Sequence, residues 1–137
     1  MDPHDTIVRQ VEHLARVLAR VLFHTDAGHP ERVEASLTEG IAAVLGVELD
    51  ALRELSRDAL LAACGGGSGL ASEQAVAVAD LLSQDVTDAG RERARWLYEA
   101  ALASGGAVPL DIYDRIEAAQ GGAARNNPNR SSDDAAV

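Results

Sequence analysis

The sequence predicts an all-α protein of about six helices folded into antiparallel hairpins, and three observations carry that prediction. A spacing occurs twice: Gly28 is followed by Val33, Leu37, Gly40 and Ile41, and Gly90 by Ala94, Tyr98, Ala101 and Leu102. From Val33 and from Ala94, a large residue follows at four positions, a small one at seven and an aliphatic at eight. On a helix these positions share one face, and the small members let a second helix come close. No segment alternates apolar and polar residues with β-branched enrichment, so no strands are expected. Breakers at 26–30, 46, 64–69, 87–90 and 105–106 divide the remainder into helix-length pieces.

Pro3 and Asp5 start a first helix that runs to about Thr25, with Ile7, Val11, Leu14, Leu18, Val21 and Leu22 as a wide apolar stripe. Pro30 suits the first turn of a second helix, from about 30 to 45, which ends at Gly46. A third follows Val47 with Leu49, Leu52, Leu55, Leu60 and Leu61, and residues 55–58 can break it into two pieces. The stretch from Cys64 to Gly69 reads as a flexible connector. A fourth helix extends from Ser72 to about Val86, and Thr87–Gly90 turns the chain into a fifth that runs to Ala103. Pro109 opens a last short helix with Leu110, Ile112, Tyr113 and Ile116. The expected organisation is one helical domain over 1–120 and a disordered tail over 121–137, where Gly, Asn, Ser and Asp replace the aliphatics.

Composition narrows the function classes. Aromatic residues are only 3% of the chain, so the core must be aliphatic, with Phe23, Trp96, Tyr98 and Tyr113 as its only large rings. The single cysteine, Cys64, excludes an internal disulfide framework. No basic segment precedes an apolar run at the start, and no stretch is long and apolar enough for a span, so a cytoplasmic protein without membrane association is expected. A net charge of -10 argues against nucleic-acid binding, which needs a positive field to displace counterions.

The fifth helix resembles the second helix of a tetratricopeptide unit, with Ala94, Tyr98, Ala101 and Leu102 in the small, aromatic, small and aliphatic positions. The preceding helix departs from that pattern, with Leu82 in place of a glycine and Asp85 in place of an aromatic residue. The two copies lie 61 residues apart, from Val33 to Ala94, whereas tandem repeats lie about 34 apart, so the resemblance implies an irregular tetratricopeptide-like array. The chain is also similar to a group of small bacterial proteins of unknown function. It shares with them the opening Ile7-Val8-Arg9-Gln10-Val11-Glu12 and the segment Leu45-Gly46-Val47-Glu48-Leu49. Both resemblances imply a fold without an activity.

One charge asymmetry stands out on an acidic chain. Arg9, His13, Arg16, Arg20 and His24 recur at steps of three and four along the first helix, in a narrow sector read as opposite its apolar face. Such a row suits a docking surface for an acidic protein segment or for a second copy of the chain. The alternative is a small anionic ligand held by the same side chains. The bland reading is a solvated face, or one balanced by Glu residues of the neighbouring helix such as Glu34 and Glu39. Phe23, at the edge of the sector, is expected to be covered by another helix.

Nothing else calls for chemistry. His24, Asp26 and His29 lack the further ligands of a metal site, and Cys64 follows an apolar run as a small core residue. The glycines after it lack the strand and the Gly-Lys-Ser/Thr of a phosphate loop. Arg91, Arg93 and Arg95 oppose the dipole of the helix they open. The expectation is a protein–protein interaction or assembly module, not an enzyme, with no cofactor and no metal.

Overall fold

The computed structural model describes residues 3–64, 71–106 and 108–125, with side chains from 5 to 119 within those ranges. The described residues form seven helices and no strand. They are α1 (Pro3–Asp26), α2 (Pro30–Leu45), α3 (Leu49–Leu52), α4 (Arg57–Ala63), α5 (Ser72–Leu82), α6 (Asp88–Ala103) and α7 (Ile112–Arg125). The expected third helix is two pieces, because Ser56 in extended conformation interrupts it and its hydroxyl caps α4 by accepting the N–H of Ala59 at 3.1 Å. The last helix begins later than Pro109 and runs to Arg125, past the expected boundary at 120. The expected connector over 65–69 and the tail beyond 125 lie outside the described residues.

Two hairpins, α1–α2 and α5–α6, make up the body, and α1 packs directly on α5 while α7 packs on α6. The short α3 and α4 sit to the side, against α2 and α6. The repeated spacing lies where the hairpins need it. Val33, Leu37, Gly40 and Ile41 of α2 are buried, as are Ala94, Tyr98 and Ala101 of α6. A Cβ on Gly40 would stand 2.8 Å from a Val17 methyl, so the small residue sets how closely α1 and α2 approach. The two leading glycines differ, however. Gly28 sits in the α1–α2 turn with φ +75 and open space around it, whereas Gly90 lies in the first turn of α6 under the Asp85 carboxylate.

Polar clusters tie the elements where the aliphatic core stops. Arg53, just past α3, uses all five of its N–H groups. It grips the Asp85 carboxylate at 2.8 Å from Nε and from Nη2, grips Glu34 at 2.9 and 3.1 Å, and reaches Asp50 at 2.8 Å. These bonds, that to Asp85 first, push the guanidinium pKa above its ordinary value. The Asp85 side chain is 0% exposed, and the Arg53 guanidinium compensates its buried charge. A second cluster joins α5, α6 and α7. The Tyr98 hydroxyl donates to Asp80 at 2.5 Å, and Arg115 donates to both Asp80 oxygens at 2.9 and 3.0 Å.

Burial raises the pKa of two acids in this core. It pushes the Cys64 thiol up to about 12, and it pushes the Tyr98 phenol above its ordinary value, with the Asp80 charge adding to the effect. A raised folded-state pKa means that the folded chain holds its proton more tightly than the unfolded one. The resulting stability is complete below the unfolded values, about 9 for a thiol and about 10 for a phenol, and is lost as pH rises above them. Urea midpoints are therefore expected to be flat between pH 7 and pH 8 and to fall steadily above about pH 9. A Cys64→Ala variant is expected to fall less steeply. An unchanged midpoint at pH 11 would contradict the burial of both groups.

Candidate functional site

The row on α1 forms a surface along its open side. Arg9, Arg16 and Arg20 are exposed, while His13 and His24 are half-buried. The row does not stand opposite the core. It flanks it, turned toward α2: Arg9 and His13 line a groove of about 300 Å³ with Thr6, Gln10, Ala43 and Val44, and Arg20 stands 3.7 Å from Glu39. Arg16 turns its Nε to the Glu12 carbonyl at 3.4 Å. His13 Nε2 and His24 Nδ1 are shielded from solvent and lack a hydrogen-bond partner among the described residues. Glu34, expected to balance the row, is held by Arg53 instead.

The buried stripe of α1 is narrower than the sequence suggests. Leu14, Val17 and Val21 are buried, whereas Ile7, Val11 and Leu18 are half-buried and Leu22 is 43% exposed. Phe23 is 66% exposed, against the expectation that a helix covers it. The reason is the packing scheme: α2 and α5 take two neighbouring sectors of α1 and leave Phe23 outside both. Its ring makes an edge-on contact with His24 at 5.7 Å between centroids. Arg16, Ala19, Arg20 and Phe23, neighbours at steps of three and four, therefore form a continuous exposed patch of apolar and cationic character.

Arginines elsewhere are used by the fold, which sharpens the contrast. Arg91 donates to the carbonyls of Asp85 and Val86, both at 2.8 Å, and also pairs with Asp88. Arg93 donates to the Leu55 carbonyl at 2.9 and 3.2 Å and lies 4.8 Å from the centroid of the Trp96 ring. Arg95 faces Glu99 at 3.5 Å. Three cations at the start of α6 are thus tolerated because their long side chains reach carbonyls and a carboxylate beyond the unfavourable end of the helix dipole.

Other candidate sites resolve into structure. A groove of about 250 Å³ between α1, α5 and α7 is lined by Leu18, Leu22, Asp80, Tyr98 and Arg115, and its charged groups satisfy one another. Among the described residues no group of three His, Cys, Asp or Glu is placed to hold a metal ion, and His24, Asp26 and His29 do not form one. Cys64 is buried, with its thiol proton tightly held, so it is not an activated nucleophile. Among the described residues no helix is long and apolar enough to cross a membrane.

The sequence reading missed the Arg53–Asp85–Glu34 cluster. The expected fourth helix, to about Val86, ends at Leu82, so Asp85 stands in the turn before α6; its signal was an acid just past the core residues Leu81 and Leu82. No protein-family model matches the chain, and no curated protein or solved structure is significantly similar to it.

Proposed function

We propose that this chain is a cytoplasmic interaction module of tetratricopeptide-like hairpins, without catalytic activity, that docks another protein on the outer face of α1. The observation that carries the reading is Phe23, two-thirds exposed and set among Arg16, Arg20 and His24. An exposed aromatic ring beside arginines is the composition that dominates protein-binding hot spots. The fold supports this reading by using Arg53, Arg91, Arg93 and Arg115 internally while leaving Arg16 and Arg20 at the surface.

Reversing Arg9, Arg16 and Arg20 to Glu is expected to abolish partner capture while leaving the helical circular-dichroism spectrum unchanged. Exposed charges contribute within about 1 kcal/mol each, so the melting temperature should shift by only a few degrees. A triple variant that folds normally and still retrieves every wild-type partner would overturn the proposal. A second reading, a small anion held between Arg9 and His13, draws on the groove beside α2 and the unpartnered Nε2 of His13. Calorimetric titration with inorganic phosphate separates the two, since a protein-docking face gives no saturable heat with phosphate.

A further inference from the structure

Beside the cationic row, α1 carries a second, uncharged strip. Val8, Val11 and Leu18 are half-buried, and Ala15, Ala19, Leu22 and Phe23 are exposed. Apart from Glu12 at its edge and Asp26 at its end, no charge interrupts it. We propose that the occupant of this face is an acidic amphipathic helix, laid along α1 with its apolar side on the Ala15–Phe23 strip and its carboxylates over Arg16 and Arg20. The proposal rests on the reading of α1 as the docking face and deepens it by naming the chemistry of the partner.

Two physical arguments select a helix. The strip from Val8 to Phe23 spans about 22 Å at 1.5 Å per residue, the length of a partner helix of about four turns. An extended strand laid on Ala, Leu and Phe side chains would press its backbone N–H and C=O groups against a surface that offers them no partners. A helix arrives with those groups already bonded. Ala15 and Ala19, one turn apart, form a shallow seat in which the side-chain ridge of a second helix can lie, and Leu22 and Phe23 close its end.

Charge selects the acidic flank. Arg16 and Arg20 project beside the strip, and among the described residues Arg20 has one ion pair, a loose one of 3.7 Å to an exposed Glu39, which an incoming carboxylate can displace. The chain as a whole carries -10, so an acidic helix is repelled in general and attracted only where this row gathers positive charge. That combination favours one docking register over non-specific association. An antiparallel two-fold pairing of α1 with α1 of a second copy would set the two rows of Arg16 and Arg20 side by side, like charge beside like charge, so a second copy is disfavoured as the occupant.

The test is a display selection from a library of helical peptides with randomised surface positions, using the full chain as bait. Enriched peptides are expected to show Leu or Phe at steps of three and four, flanked by Glu or Asp. As synthetic peptides they are expected to bind more weakly as salt rises, and to lose about tenfold or more in affinity to Phe23→Ser and to Arg16→Glu/Arg20→Glu. Both variants change exposed side chains, and circular dichroism checks that they fold. Binders that depend on α1 but carry no acidic flank would overturn this proposal and leave α1 as the docking face. Binders indifferent to both variants, or no enrichment, would overturn both. Self-association of the wild type in sedimentation, lost in Phe23→Ser, would assign the face to a second copy and overturn the acidic-helix proposal.

Discussion

Replacing Arg53 with Met is expected to lower the stability of this fold by about 3–5 kcal/mol, more than an average point substitution costs. Arg53 is held by two bidentate grips, one on Asp85 and one on Glu34, so a single side chain fastens α2 to the α5–α6 turn. Methionine keeps the length and apolar stem but leaves the fully buried Asp85 carboxylate with one remaining donor among the described residues, the N–H of Thr87 at 3.0 Å. The penalty is mainly that of an uncompensated buried charge, and it has a signature: adding Asp85→Asn to the Arg53→Met variant should restore part of the loss. Gly90→Ala should reach the same state by another route, since its methyl group would occupy the space of the Asp85 carboxylate and push it off Arg53. Urea titration of the single and double variants checks the cycle. Independent, additive losses for Arg53→Met and Asp85→Asn would show that the pair is not coupled.

The second large effect belongs to the core. Leu37→Ala is expected to cost about 2–5 kcal/mol, and the upper part of that range is favoured here. Leu37 is 1% exposed, and Gly40, one turn on, already sets α2 at contact distance from Val17 of α1. The walls of the new cavity cannot close much further, so the lost contacts are not recovered. A loss below about 0.5 kcal/mol in a urea titration would show that the position is not core.

The helical hairpins were legible because packing faces repeat at helical spacing, and Val33–Ile41 and Ala94–Leu102 show that repeat whatever their neighbours are. The break near Ser56 was legible for the same local reason. Long-range partners were not. Arg53 and Asp85 are 32 positions apart, and no periodicity links an arginine past one helix to an aspartate before another. Arg91 and Arg93 looked unfavourable at the start of α6 because the carbonyls they reach, in Asp85, Val86 and Leu55, become neighbours only once the turns form. The candidate site was half legible. The spacing of Arg9, His13, Arg16, Arg20 and His24 gave the row, but a helical wheel gives a sector and not what covers it. Where α2 and α5 contact α1 decided that the row flanks α2 and that Phe23 and Leu22 stay open.

Site-specific photo-crosslinking from position 23 tests the functional account most directly. Phe23 is replaced by a photoreactive phenylalanine analogue, and the same analogue at Tyr113, an equally exposed aromatic position on α7 outside the arginine row, serves as the reference. If α1 is the docking face, irradiation in cells that express the protein gives discrete adducts from position 23. Those adducts disappear when Arg16 and Arg20 are reversed to Glu, and position 113 does not give them. Adducts of equal yield and pattern from both positions, or adducts from position 23 that persist after the charge reversal, would contradict it.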